Sequence, residues 1–280
     1  MEALLLAAGL GTRLHPLTTV LPKCLMPIHG RPLLGLWLEM LKQGGVNRVF
    51  VNLHYLSPLV REYVKSSPYS DIVKFLDEPE LFGTAGTLSR FRGEFSSHEL
   101  LMAHADNLTI FDVRQFRLAF ETRPIPCALT MMTFDTDAPK SCGIVTLDDE
   151  GRVIEFVEKP QEYIGTLANG AVYIMDVNAV FDVLDAGENI TDFSTQILPH
   201  FVGRMNSFHN QHYHRDIGTV AAIGDAQMEI AEIELAKTLL EGVGSYWQPR
   251  KDRQKLSRDF HIKLEQAGLP IRVIEDLMKA

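Results

Sequence analysis

Short, nearly continuous apolar blocks alternate along this chain with stretches whose apolar residues recur every three or four positions. The blocks at residues 3–8, 49–53 and 72–76 are too short for helices and lack polar alternation. They read as buried strands of a parallel sheet. Between the first two, Leu34, Leu38 and Leu41 recur at helical spacing, in a segment opened by Arg31-Pro32 and closed by Gly44-Gly45. Residues 57–66 carry a second helix. Residues 100–107 form a further strand ending in an acid, Asp106, and residues 126–134 another. Residues 143–147 and 153–157 flank Asp149-Glu150-Gly151 as a hairpin. Helical spacing returns over residues 219–241, with Ile230, Ile233, Ala236 and Leu240 on one face, and the charged tail to Ala280 reads as helical. Alternation of strand and helix predicts an α/β fold, a doubly wound and mostly parallel sheet.

Composition narrows what such a sheet could serve. The chain has 280 residues, 46% of them hydrophobic, enough for one large α/β domain or a domain with an appendage. A formal net charge of −9 argues against a nucleic-acid partner, because no basic stripe is available to neutralise a phosphate backbone. A nucleotide substrate needs only a few local cations and a metal, so it stays open. Three cysteines, Cys24, Cys127 and Cys142, lack metal-ligand spacing and fit a reducing compartment. Cys24 beside Lys23 is either an activated thiol or an ordinary buried one. No apolar run approaches the roughly 20 residues of a membrane span. The first apolar block follows Glu2 and is cut short by glycines and Arg13, unlike a secretory leader. The expectation is a cytoplasmic protein with no membrane partner.

The densest chemistry follows the first block, in Ala7-Ala8-Gly9-Leu10-Gly11-Thr12-Arg13-Leu14-His15-Pro16-Leu17-Thr18 and then Pro22-Lys23. Gly9 and Gly11 let the backbone turn tightly and approach a ligand closely. Backbone N–H groups in such a turn make an anion-binding concavity, which Arg13 and Lys23 would deepen for a polyphosphate. A dinucleotide fingerprint needs a third glycine where this chain has Leu14, and no Walker loop is present. Asp106, at the carboxyl end of its strand, faces the same crevice. It is there either as an oxygen ligand for magnesium or as an Asx cap of the next element. His212, His214 and Asp216 alternate, so one strand face would carry all three. They are either transition-metal donors or a polar strand whose functional residue is its terminal acid.

The string Gly-x-Gly-Thr-Arg-Leu-x-Pro-Leu-Thr followed by Pro-Lys resembles the signature of sugar-1-phosphate nucleotidyltransferases. Further segments of the resemblance follow in order: Phe82-Gly83-Thr84-Ala85-Gly86, Asp106, Glu158-Lys159-Pro160, Asn169-Gly170 and Asp216-Ile217-Gly218-Thr219. The resemblance implies a Rossmann-like, doubly wound mixed sheet in a domain over residues 1–224, with a helical C-terminal extension over 225–280. That extension would pack on the core or join copies into a homo-oligomer. The implied reaction joins a nucleoside triphosphate to a sugar 1-phosphate and releases pyrophosphate. Ala7, Ala8, Gly9, Gly11, Thr12, Gly83, Thr84 and Ala85 would hold the nucleotide. Gly143, Glu158, Lys159, Asn169 and Gly170 would hold the sugar phosphate. Arg13, Lys23 and Asp106 would act on the phosphates, and Asp106 with Asp216 would hold Mg2+. Two departures stand out: Ala105 replaces the usual glycine before the acid, and His214 the usual aromatic. Gly-Thr-Ala-Gly is similar to the mannose-1-phosphate guanylyltransferase branch, whereas Ala7-Ala8-Gly9 resembles uridylyl- and thymidylyl-transferring branches. A non-catalytic homologue that binds a nucleotide sugar is the alternative of another class.

Overall fold

A computed structural model of the protein describes residues 1–247 and 253–279. The part of the predicted helical tail at 248–252, and Ala280, lie outside the described residues. The chain runs β1 (Glu2–Leu6), the short pair β2 (Pro27–Ile28) and β3 (Arg31–Pro32), α1 (Leu33–Gln43), β4 (Val49–Leu53), α2 (Ser57–Lys65), β5 (Val73–Asp77) and α3 (Thr84–Arg90). It continues through β6 (Glu99–His104), β7 (Asn107–Ile110), α4 (Val113–Glu121), β8 (Leu129–Asp135), β9 (Gly143–Leu147), β10 (Val153–Glu158) and β11 (Leu167–Asp176). The last elements are α5 (Val177–Ala186), α6 (Phe193–Gln196), β12 (Met205–His209), β13 (Tyr213–Asp216), α7 (Val220–Ile230), α8 (Glu234–Gly242), α9 (Gln254–Gln266) and α10 (Ile271–Leu277).

β1 lies inside the parallel part of the large sheet. It pairs in parallel with β4 on one side and β6 on the other, and β5 pairs in parallel outside β4. The winding therefore reverses between β1 and β6, and in open α/β sheets the carboxyl ends of the strands at such a reversal are where ligands bind. Beyond β6 the sheet turns antiparallel, through β11 to β9 and β10, while β8 branches from β11 and carries β12 in parallel. The expected doubly wound mixed sheet is the fold, and its parallel half carries the first loop.

The continuous apolar reading of β1 has a direct physical origin. Ala3 and Leu5 enter one apolar cluster, and Leu4 and Leu6 enter another on the opposite face. With both faces covered, alternation has no reason to appear. Glu2 is nonetheless buried in this strand, where its carboxylate accepts from Ser96 N (2.8 Å), Ser96 Oγ (2.7 Å) and Ser97 N (3.0 Å). Burial raises its pKa, but these donors and Arg48 outweigh that and hold the carboxyl below its ordinary value.

Two elements differ from the sequence reading. The strand expected over 100–107 stops at His104, and Ala105-Asp106 form a turn into β7, so the acid sits on a corner between strands. The helix expected over 219–241 breaks between α7 and α8, near Ile233. Ile230, Ala236 and Leu239 stay buried across the break, which is why periodicity does not register it. Beyond it, Trp247, Phe260, Leu264, Val273, Ile274 and Leu277 join the same apolar cluster as Leu5, Leu25 and Trp37. Tyr246 N donates to Gly30 O (2.8 Å), tying the C-terminal segment to the β2–β3 turn just beyond Lys23. Among the described residues no helix is long and apolar enough to cross a membrane.

Candidate functional site

The loop after β1 is held from three directions. Gly11 adopts the left-handed region (φ 62°), and a Cβ there would lie 2.9 Å from Thr18 Cγ2, so glycine is required twice over. Thr18 Oγ donates to Gly11 O (2.9 Å), and Tyr55 Oη donates to Thr18 O (2.9 Å). From the neighbouring strand β4, Asn52 Oδ1 accepts the main-chain N–H of both Ala7 (2.6 Å) and Ala8 (3.2 Å). Gly9 meets nothing within 4 Å on its Cβ side, and it is exposed, as is Thr12's neighbour Arg13. The predicted anion loop is thus rigid at its base and open at its tip.

Lys23 is the hub of the charged site. It lies in a short 3-10 turn between Pro22 and Met26, with Cys24 and Leu25 buried beside it. Its side chain is only 6% exposed, and Nζ donates to Asp106 Oδ2 (3.1 Å) and to Asp216 Oδ1 (2.8 Å). Arg13 Nη2 reaches the other oxygen of Asp216, Oδ2, at 3.2 Å. The four charges form one chain, Arg13–Asp216–Lys23–Asp106. Partial burial pushes the Asp216 pKa up, but Lys23 and then Arg13 more than offset this and hold it below the usual carboxylate value. The Cys24 thiol goes the other way: burial, with Asp106 nearby, pushes it up to about 12, so it is an ordinary protonated thiol.

Topology explains how two acids so distant in sequence meet. β13 pairs antiparallel with β7, with Asp216 opposite Asn107, which places Asp216 beside the Ala105-Asp106 corner. Gly218 then leaves room for the ion pair, since a Cβ there would lie 2.9 Å from Arg13 Nη2 and from both Asp216 oxygens. His214 lies at the edge of this charged group, near enough to feel the Asp216 carboxylate. Its ring packs on Phe134 (centroids 4.1 Å apart) and its Nδ1 meets Thr109 Oγ at 2.9 Å. Burial pushes its pKa down to about 4. His212 is exposed just before β13. Among the described residues no group of three His, Cys, Asp or Glu side chains is arranged to hold a metal.

The segment containing Gly83, Thr84 and Ala85 opens α3 and is fastened to the loop before α6. Ala85 N and Gly86 N donate to Thr191 O (2.9 and 3.3 Å), and Phe193 N donates to Thr84 Oγ (2.7 Å). Gly83 (φ 80°) passes so close to Thr191 that a Cβ would sit 2.4 Å from its carbonyl oxygen. The amide of Ala85 is therefore already engaged within the protein.

The remaining predicted residues gather where β10 and β11 approach β9. Glu158 ends β10 and is half-buried. Burial raises its pKa against the pull of Lys159, which lies 3.7 Å away and is largely exposed. Lys159 adopts φ 49°, in the left-handed region, while its N–H donates to Cys142 O (2.9 Å). A Cβ at Gly143 would lie 2.7 Å from Glu158 Oε2 and 2.6 Å from Phe156 Cε2, so glycine there keeps the carboxylate accessible. Asn169 Nδ2 donates to Tyr173 Oη (2.8 Å) and its Oδ1 accepts from Ala171 N (2.9 Å), across an irregularity in β11. Gly170 brings this bend near His214, whose Cε1 would lie 3.7 Å from a Cβ. This group and the Arg13–Asp216–Lys23–Asp106 chain border one another through His214.

Sequence reasoning missed Asn52, Glu78 and Thr87, which form a buried polar group beneath the loop. Asn52 Nδ2 donates to Glu78 Oε1 (2.9 Å), as does Thr87 Oγ (2.5 Å). One signal was present: Asn52 is a polar residue in an otherwise apolar block, and such a residue inside a fully covered strand must find partners.

A family model described as Nucleotidyl transferase matches residues 2–233. The chain is 32% identical over 175 residues to a D-glycero-alpha-D-manno-heptose 1-phosphate guanylyltransferase of Campylobacter jejuni, covering 62% of this chain and 76% of that one. It is 31% identical over 182 residues to mannose-1-phosphate guanylyltransferase 1 of Arabidopsis thaliana (63% and 50% covered). It is 26% identical over 260 residues to a UTP–glucose-1-phosphate uridylyltransferase of Synechocystis (87% and 66% covered). The chain spans about half to two thirds of the length of these last two relatives. Among solved structures, HddC from Yersinia pseudotuberculosis superposes with a TM-score of 0.68 at 25% identity, covering 81% of this chain and 98% of that one.

Proposed function

Because the chain belongs to the nucleotidyl transferase family, we propose that it transfers a nucleotidyl group from a nucleoside triphosphate to a sugar 1-phosphate. An oxygen of the sugar phosphate attacks the α-phosphorus. The new P–O bond forms as the bond to the β-phosphate breaks, and pyrophosphate leaves. The observation that carries this reading is the Arg13–Asp216–Lys23–Asp106 chain at the carboxyl ends of β1 and β6, with Glu158 and Lys159 at its border. Such chemistry needs positioning and charge neutralisation more than covalent help. The attacking oxygen is already ionised, so no general base is required.

Each side chain then has a role. Arg13, exposed at the loop tip, neutralises the leaving pyrophosphate. Lys23, buried and rigid, holds phosphate charge as the α-phosphorus changes partners. Lys159 holds the sugar phosphate as a point charge, while Glu158, Asn169 and the backbone at Gly143 and Gly170 take the sugar hydroxyls. The loop 7–12 and the segment 83–85 take the nucleotide. Asp106 and Asp216 offer a hard, all-oxygen donor set from separate elements and stay partly open to solvent. They fit Mg2+, which prefers one or two carboxylates together with substrate phosphates. The bound ion would supply charge neutralisation at the α-phosphate.

GTP with mannose 1-phosphate or a related heptose phosphate is the preferred substrate pair. Support comes from Phe82-Gly83-Thr84-Ala85-Gly86 and from the two guanylyltransferase relatives above 30% identity. A second reading, uridylyl or thymidylyl transfer to glucose 1-phosphate, is favoured by Ala7-Ala8-Gly9 and by the Synechocystis relative. A purely regulatory nucleotide-sugar binder would not need to keep all five of Arg13, Lys23, Asp106, Lys159 and Asp216. Residues 1–224 carry the chemistry in this account and 225–280 buttress it, in a cytoplasmic enzyme without nucleic-acid partners. The test is mass-spectrometric identification of the product after incubation with Mg2+, a mixture of nucleoside triphosphates and a panel of sugar 1-phosphates. A GDP-sugar supports the preferred pair, and a UDP- or dTDP-sugar the second. No nucleotide sugar from any mixture contradicts the reaction class.

A further inference from the structure

We propose that Asn52 and Glu78 are positioning residues, a buried relay that fixes the two halves of the nucleotide site to each other. The inference rests on the functional reading above and extends it to residues that no substrate would touch. Asn52 and Glu78 are each 4% exposed, at the ends of β4 and just beyond β5. Asn52 Oδ1 accepts two successive main-chain amides of the first loop, Ala7 and Ala8, and its Nδ2 donates to Glu78 Oε1. Glu78 also accepts from Thr87 Oγ and, through Oε2, from Phe82 N at 3.3 Å. Thr87 and Phe82 bracket the Gly83-Thr84-Ala85 segment. One unbroken line of hydrogen bonds thus runs from the loop at residues 7–8 to the segment at residues 82–87, without passing through the phosphate-binding cations or the sugar group.

The polarity of this line is fixed. Both amides and the Phe82 N–H can only donate, so Asn52 must present its oxygen to the loop and its nitrogen to an acceptor. Glu78, an acceptor on both oxygens, meets that need, and its donors are all neutral. A buried carboxylate so placed is expensive unless every lone pair is used. Its cost is offset by order in the two segments that would clasp the nucleotide. The sugar half-site, on β10 and β11, hangs on other bonds.

The polarity dictates the experiment. Asn52→Asp sets two carboxylates face to face, and Glu78→Gln sets an N–H2 against the Phe82 N–H. The double variant Asn52→Asp with Glu78→Gln restores the line: one Asp oxygen takes the loop amides, the other takes the Gln N–H2, and the Gln oxygen takes Phe82 N–H. Each single variant should raise the KM for the triphosphate about ten- to a hundredfold, from an unsatisfied buried group. The KM for the sugar 1-phosphate should stay within about threefold, and the double variant should return both close to wild type. Calorimetric titration with GTP and UTP measures the same ordering without turnover, so it separates failure of this inference from failure of the reaction assignment. A double variant no better than either single one, or equal rises in both KM values, overturns the relay.

Discussion

Replacing Lys23 by methionine isolates what one buried ammonium does. Methionine keeps the apolar stem and its packing beside Cys24 and Leu25, and removes the charge. In the native protein Nζ sits 3.1 Å from Asp106 and 2.8 Å from Asp216. Without it the two carboxylates face one another, with Arg13 reaching Asp216 alone. Breaking a fully buried pair costs about 3–5 kcal/mol and an exposed pair at most about 1 kcal/mol. Here the cation is 6% exposed and the acids 33% and 47%, which places the loss between those limits. A loss of about 2 kcal/mol corresponds to a drop of about 3–4 °C in Tm for a chain of 280 residues. If Asp106 and Asp216 also hold Mg2+, the ion relieves the same repulsion. Saturating Mg2+ should then raise the Tm of Lys23→Met more than that of wild type, by mass action on the folded state. Turnover should remain low in both cases if Lys23 holds phosphate as proposed. The assay is calorimetric melting of both proteins in EDTA and in magnesium, followed by pyrophosphate release. Equal Tm values in EDTA would refute the argument that Lys23 neutralises the pair. An equal magnesium shift in both proteins would refute the shared seat.

Three further outcomes follow from the geometry. Gly218→Ala places a methyl 2.9 Å from Arg13 Nη2 and both Asp216 oxygens. It should keep the fold and lower kcat about tenfold by displacing the arginine, and unchanged kcat would show that the pair does not matter to turnover. Lys159→Ala should raise the KM for the sugar 1-phosphate well above any change in the KM for the triphosphate, and equal rises would remove its assigned role. Glu2 has a folded-state pKa below its ordinary value of 4.5, so the unfolded chain binds its proton more readily. Its stabilising contribution is complete above that ordinary value and is lost as pH falls through the folded value. The gap in Tm between wild type and Glu2→Gln should therefore narrow as pH drops from about 6 to about 3. A gap independent of pH would show that Glu2 acts by packing alone.

The residues that sequence reasoning located are those whose chemistry shows in local spacing. Arg13 and Lys23 stand out because two glycines precede them and prolines flank them, and Asp106 and Asp216 because each ends a strand-like run. β1 and β4 were legible because both of their faces are covered, which produces uninterrupted apolar blocks. What local pattern could not carry was pairing. That Asp216 lies beside Asp106 depends on β13 choosing β7, and the polar run His104, Asp106 and Asn107 marks a corner without saying which strand will pair beyond it. The same holds for Asn52 and Glu78. A polar residue in a buried strand announces that it needs a partner, but the partner is set by the neighbouring strand order. The α7–α8 break was hidden because both helices keep apolar residues toward one core.

The central claim is that the charged chain around Lys23 and the group around Glu158 serve one reaction between two substrates. Pyrophosphate release tests it most directly, measured with magnesium and GTP, UTP or dTTP, with and without mannose, heptose or glucose 1-phosphate, for wild type and Asp106→Asn. The account predicts release only when a triphosphate and a sugar 1-phosphate are present together, and almost none from a well-folded Asp106→Asn. Release that ignores the sugar phosphate, or near-normal turnover by Asp106→Asn, would contradict it.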